Sequence, residues 1–152
     1  MSLVSRKGIL AIAAVVDVAI HSNSRPVSAK ALASRHRLPP RHLEPVLQAL
    51  VRDGILRGIR GPHGGYEIAR DQTQISAEEI LRSADRVDEA YQPLPESEIV
   101  LTVVQPALAL AERSFSAALA EITVADMARQ AVKARVHALD SFDTIPLGVK
   151  VQ

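Results

Sequence analysis

Between Arg25 and Arg60 the chain carries eight basic residues, Arg25, Lys30, Arg35, Arg37, Arg41, Arg52, Arg57 and Arg60, against only Glu44 and Asp53. That local charge of +6 suits one chemistry above others, the neutralisation of a polyanion. A nucleic-acid duplex is a dense line of phosphates, and the counterions released when Lys and Arg replace them drive binding. The stretch ends in Arg60-Gly-Pro-His-Gly-Gly-Tyr66. Glycine lacks a Cβ, so such a turn reverses sharply and can approach a sugar–phosphate chain closely. Arg60 and His63, beside Gly61 and Gly64, are suited to enter or bridge a narrow minor groove, where negative potential is concentrated. Alone, this turn is an ordinary surface hairpin; after a strongly basic stretch it reads as a contact.

Other chemistries find little support. The chain has no cysteine, which removes disulfides, thiolate zinc sites, thiol catalysis and cysteine-ligated iron–sulphur clusters. It also fits a cytosolic protein. His21, His36, His42, His63 and His137 are scattered without ligand spacing, so no metal site is expected. Asp88, Glu89, Glu96 and Glu98 offer the oxygen ligands that hard cations use, but they read as a solvated acidic linker. No Ser/His/Asp grouping, phosphate-binding loop or catalytic carboxylate pair stands out, so neither an enzyme nor a bound cofactor is expected.

The elements that must position the basic stretch are legible from local signals. A chain of 152 residues can bury one core, or one small domain plus an extension. Aromatic residues are only 3%, so the core must be aliphatic, which favours helices. The opening Met1–Ser22 imitates a signal peptide, but Asp17 breaks its apolar run, no clean cleavage site follows, and the run is too short to span a bilayer. Ser5 to His21 is instead expected as a central helix, apolar on nearly every face. Asn23 to Pro26 reads as a turn. Ser28 is an N-cap for a short helix, Ala29 to His36, burying Ala31, Leu32 and Ala33. Pro39 and Pro40 open a third helix with an inward stripe of Leu43, Val46, Leu47, Leu50 and Val51, ended by Gly54. Pro45 lacks the amide that would bond the Arg41 carbonyl, which predicts a distorted first turn.

Ile55–Arg60 and Tyr66–Arg70 read as two short strands of a hairpin. Ser76 to Glu79 matches a capping box, which predicts a helix from Ala77 to about Val87. Asp88 to Glu98 is a proline-containing acidic linker. A long helix, about Ile99 to Glu121, follows. Its Leu101, Val104, Leu108, Ala111, Phe115, Ala118 and Ile122 alternate steps of three and four, a packing stripe. Pro106 either starts or kinks it, and Thr123 to Ala138 adds a short helix or two. The expected layout is a winged domain over 1–87, a linker over 88–98, a helical extension over 99–143 and a tail over 144–152.

The fold expected is mainly α with a small β-hairpin, a winged helix-turn-helix followed by a long helix. Its inward stripe leaves Arg41, His42 and Glu44 outward at the start of the third helix, where recognition helices meet base edges. Arg41 suits guanine and Glu44 the cytosine amino group; for any single residue the alternative is a solvated helix face. Ser28 and Arg37 join the same surface. Charge divides along the chain, with 13 Lys+Arg against 8 Asp+Glu up to Arg86 and 5 against 9 beyond, so only the first part suits a polyanion.

From about Ser5 to Asp88 the chain resembles the Rrf2 family of winged-helix regulators, which includes an iron–sulphur cluster assembly regulator and a nitric-oxide-sensitive repressor. The match is carried by Lys7-Gly8, Asp17-Val18-Ala19, Leu43-Glu44, Leu50, Gly54-Ile55 and above all Arg60–Tyr66, and Ile122–Met127 resembles the segment after that family's long helix. The resemblance implies a homodimer whose long helix crosses to the partner, with the stripe from Leu101 to Ile122 in the interface. It also implies phosphate contacts at Ser5, Arg6 and Lys7, major-groove contacts at Arg41, His42 and Glu44, and a minor-groove contact at Arg60. Two departures stand out. The three cysteines of cluster-binding members are absent from Asp88–Gln105, with Gln105 where the assembly regulator has its non-cysteine ligand, and Leu10 replaces an aromatic residue common in the first helix. A double-stranded DNA partner and self-association are therefore expected without a cluster. The effector is open between a small molecule held between the long helix and the winged domain, a partner protein, and none. A winged helix can also serve as a protein-interaction module that binds no DNA.

Overall fold

The computed structural model describes residues 3–23, 25–88 and 96–143. Its helices are α1 (Arg6–His21), α2 (Ala29–Arg35), α3 (Pro40–Arg52), α4 (Ala77–Asp85), α5 (Gln105–Ala120) and α6 (Val124–Asp143), with strands β1 (Leu56–Ile59) and β2 (Gly65–Ile68) between α3 and α4. The expected linker lies for the most part, and the expected tail wholly, outside the described residues. Among those described, no helix is long and apolar enough to cross a membrane.

Local signals account for most boundaries. Ser5, Ser28 and Ser76 each cap a helix, their hydroxyls accepting from the amides of Gly8, Ala31 and Glu79 at 3.0, 3.1 and 3.2 Å. Only half of the expected capping box forms, because the Glu79 carboxylate is taken by Arg70. Proline at the first turn starts α3, which runs through Pro45 without a break. The distortion expected there does not interrupt the helix, and its first turn is tight, with His42 N donating to Pro39 O at 3.0 Å. The strands pair antiparallel, with Arg57 opposite Glu67 and Gly58 opposite Tyr66.

The core is aliphatic. Val15, Val18, Leu32, Leu43, Val46, Leu47, Leu50, Ile55, Leu56, Ile75, Ile80 and Val124 are sealed inside it. At the α2 and α3 positions the expected inward residues are buried except Ala31, which is half-buried, and Val51, which is exposed. Helix α1 sits centrally, packed against α3, α4, α6 and β2.

The second half departs from this pattern. A π-helical turn, Val100–Val104, leads into α5, with the Gln105 amide reaching back to the Val100 carbonyl. The wide turn sits immediately before Pro106, whose missing amide and bulky ring disfavour regular winding there. Helix α5 buries none of its residues. Instead of one or two short helices, α6 is a single helix of 20 residues. Thr123 caps it, its hydroxyl accepting from the Asp126 amide at 3.1 Å. The α5–α6 junction is tied to the winged domain by a bridge: Ala77 N donates to Ile122 O at 2.8 Å and Val124 N to Ile75 O at 2.9 Å.

Candidate nucleic-acid interface

The eight cations of the basic stretch are not equivalent once folded. Arg35 is drawn inward to Asp17, Arg52 lies 3.6 Å from Asp53, and Arg57 bonds Glu67 across the hairpin at 2.7 Å. The remaining five, Arg25, Lys30, Arg37, Arg41 and Arg60, are exposed, and their side chains make no hydrogen bond or ion pair among the described residues. They mark the approach to α2, its first turn, the α2–α3 turn, the start of α3 and the wing. Folding thus neutralises three charges structurally and leaves five on the elements that would face a polyanion. The sequence alone gave no sign of this division, which separates residues with no other work from those that hold the fold.

The wing is fixed to the helix-turn-helix by a contact that the sequence did not reveal. Val27, just before α2, forms a one-residue bridge to Tyr66 of β2, donating to its carbonyl at 2.9 Å and accepting from its amide at 2.8 Å. Gly65 makes this possible. Its φ is +154°, and a Cβ there would stand 2.4 Å from the Val27 carbonyl oxygen. Gly64 is as tightly enclosed, at 2.2 Å from the Ile59 carbonyl oxygen. The glycines of the turn therefore hold the wing against the start of α2 as well as shaping its tip. Between them lies a cleft of about 420 Å³ bounded by His21, Arg25, Ser28, Arg35, His63 and Gly64.

Helix α2 is anchored by Asp17, the one carboxylate buried in the core among the described residues. Arg35 donates to both its oxygens, Nε to Oδ2 at 2.9 Å and Nη2 to Oδ1 at 2.6 Å. His21 Nδ1 lies 3.1 Å from Oδ1 and His36 Nε2 3.0 Å from Oδ2. Burial pushes the Asp17 carboxyl up, but the Arg35 hydrogen bonds and the positive charges of Arg35, His21 and His36 outweigh it, holding the group below the usual carboxylate range. A buried charge is tolerated when it is paired in this way. Here it fixes the end of α2 against α1.

The expected contact residues fall into two groups. Ser28, Arg37, Arg41, His42, Glu44, Arg60, Gly61, His63 and Gly64 lie on the helix-turn-helix and wing, and Arg41, His42 and Glu44 are all exposed on α3. Ser5, Arg6 and Lys7 lie at the other end of α1, about 24 Å from His21 at the helical rise. There the Ser5 hydroxyl already caps α1 and donates to Asp85 of α4 at 3.2 Å. Of the expected interface stripe, Leu101, Val104, Leu108 and Ile122 are 53%, 40%, 57% and 42% exposed. Ala111 and Ala118 are exposed and Phe115 is half-buried. Ile99, Val103 and Leu110 are exposed too, so the uncovered apolar surface is wider than the stripe.

Comparison with known proteins agrees with this architecture. The signature of the Rrf2 family, described as "Iron-dependent Transcriptional regulator", matches residues 4–130. A chain from Synechocystis named as an HTH-type transcriptional regulator is 33% identical over 119 residues, 75% of this chain and 79% of that one. The regulator IscR of Cronobacter sakazakii is 34% identical over 79 residues, covering 52% of this chain and 49% of IscR. The match thus spans about half the length of that relative. Among solved structures, T. potens IscR is 32% identical and superposes with a TM-score of 0.68, covering 88% of this chain and 90% of that one. CymR of B. subtilis shares the fold at 24% identity and a TM-score of 0.64, over 86% of this chain and 98% of its own.

Proposed function

The chain belongs to the Rrf2 family of winged-helix regulators, and on that premise we propose that it is a sequence-specific DNA-binding transcription regulator acting as a homodimer. The observation that carries the reading is the set of five cations, without an ion pair among the described residues, placed along α2, the turn, α3 and the wing. Arg41, His42 and Glu44 would read bases in the major groove, and Arg60 would enter the minor groove beside Gly61 and Gly64. Ser28 and His63 would line the same track, with Ser5, Arg6 and Lys7 touching phosphates at the far end of α1. Residues 1–87 form the DNA-binding unit in this reading and 99–143 the dimerisation unit. The exposed stripe from Leu101 to Ile122 is what a second copy would cover. Two reading heads would then lie about 34–36 Å apart, or a multiple of it, on a roughly palindromic site.

The iron of the family's description does not fit this chain as a cysteine-held cluster. There is no cysteine anywhere in the sequence, and thiolates are the ligands such clusters need. Among the described residues, no group of three His, Asp or Glu side chains is gathered to hold a metal ion. The effector in this reading is a small molecule. A cleft of about 290 Å³, between the start of α1, α4 and α5, is lined by Val4, Leu81, Phe115 and Leu119 with Glu78 and Asp85 at its edge.

The test is direct. Arg60→Ala should weaken binding to a footprinted operator by about 10-fold, a loss of about 1.4 kcal/mol, and raising salt should weaken wild-type binding steeply. Affinity indifferent to both sinks the proposal. Retention of a protein partner after nuclease treatment, with no shift on any genomic fragment, points to an interaction module instead.

A further inference from the structure

Arg35, His36 and Arg37 are three consecutive basic side chains at the end of α2, and the fold sends them in different directions. Arg35 and His36 converge on the buried Asp17 carboxylate. Arg37 does not; it is exposed and has no partner among the described residues. Its backbone is the unusual feature. Arg37 has φ +54° and is the only non-glycine residue with positive φ among the described residues. It stands just past the cap of α2, where Arg37 N donates to Ser34 O at 3.2 Å and Leu38 N to Ala33 O at 2.9 Å. Helices that close in this way usually place glycine at that position, because a Cβ is strained there. Among the described residues no hydrogen bond or ion pair engages the side chain of the arginine that is kept instead. A strained backbone that persists without an internal contact points to a contact made outside.

We propose that Arg37 is a phosphate-gripping residue, held out from the helix-turn-helix turn while Asp17 anchors its two neighbours, and that the chain gives up folding stability to keep it. This rests on the DNA-binding reading above and deepens it: the turn supplies affinity without sequence preference, leaving discrimination to α3 and the wing. Three residues separate Arg37 from Arg41 at the start of α3. The turn therefore adjoins the end of the helix that would enter the groove, beside the bordering phosphates.

The experiment compares the full wild-type chain with Arg37→Gly and Arg37→Lys. The probes are two duplexes of equal length, an operator recovered by footprinting and a random sequence, titrated across a range of salt. For Arg37→Gly we expect about fivefold weaker binding to both duplexes near 0.15 M salt and a slope of log K against log salt shallower by about 0.9, the signature of one lost phosphate contact. The same variant should melt about 2–4 °C higher, because glycine relieves the positive φ. Arg37→Lys should keep both the slope and the melting temperature of wild type. An unchanged slope in Arg37→Gly overturns the phosphate contact, and a loss confined to the operator overturns it in favour of base reading. A lower melting temperature overturns the trade of stability for binding. In all three cases wild-type binding would leave the DNA reading standing, whereas a wild-type chain that bound neither duplex would overturn both.

Discussion

Helices α3 and α5 carry aliphatic stripes of the same helical period, and the structure treats them oppositely. In α3, Leu43, Val46, Leu47 and Leu50 are sealed in the core. Along the long helix Leu101, Val104 and Leu108 remain exposed, and α5 has no buried residue. A repeat of apolar residues says that a helix needs a covered face; it does not say whether the cover is the same chain. The winged half covers its own α3 stripe except at Val51, with α1 at its centre and Asp17 as its one buried carboxylate among the described residues. The long helix leaves its stripe uncovered, as a surface awaiting a second copy in the proposed dimer.

Matched substitutions in the two stripes should have the largest and most opposite effects. Leu47→Ala should cost about 2–5 kcal/mol of folding stability, since it empties a fully buried site. The urea midpoint would report it. Leu101→Glu combined with Leu108→Glu should leave the winged fold's spectroscopic signature intact but weaken self-association at least about 100-fold, because each interface would bury four carboxylates. Sedimentation across a concentration series separates these outcomes. A monomer for wild type, or an unchanged dimer for the double variant, would remove the proposed role of the long helix.

Next in size is the joint between wing and α2. Gly65→Ala would set a Cβ against the Val27 carbonyl at a backbone angle that disfavours side chains. We expect a loss of about 2 kcal/mol and faster proteolysis within 60–66, with the α5 surface and self-association unaffected. Equal stability for the variant and wild type would mean that the wing is not held by this bridge.

The contrast between the two stripes also explains what the sequence made legible. Ser5, Ser28, Ser76, Pro40 and Gly54 act on the residues beside them, so α1 to α4 were expected within a residue or two of where they lie. The hairpin was legible from its glycines, although β2 begins at Gly65 and ends at Ile68, earlier than expected at both ends. The Asp17 anchor was not legible, since Arg35 and His36 are distant in sequence and become its partners only once α2 folds onto α1. The Val27–Tyr66 bridge was hidden for the same reason. Helix α6 runs past the expected end at Ala138; the cap at Thr123 and the bridge at Ile122 start it, and no glycine or proline interrupts it before Asp143.

The smallest expected effect concerns acid, and it falls on the winged half alone. Burial raises the Asp17 carboxyl, but Arg35, His21 and His36 together leave it below its ordinary value. Its folded pKa is thus lower than its unfolded pKa of about 3.9, so the unfolded state binds more protons as pH falls. The contribution of Asp17 is fully present above that unfolded value and drains away as pH drops through the folded one. Asp17→Asn should be less stable than wild type at pH 6, because Arg35 loses its anionic partner. The gap between the two should narrow as pH falls below about 4, where Asp17 of the unfolded wild-type chain takes up a proton that the folded chain still resists. Urea midpoints for both chains at pH 6 and pH 3 measure it. A gap of equal size at both pH values would mean that the Asp17 charge adds nothing to the joint between α1 and α2, and the winged half would then owe its fixed geometry to its aliphatic core alone.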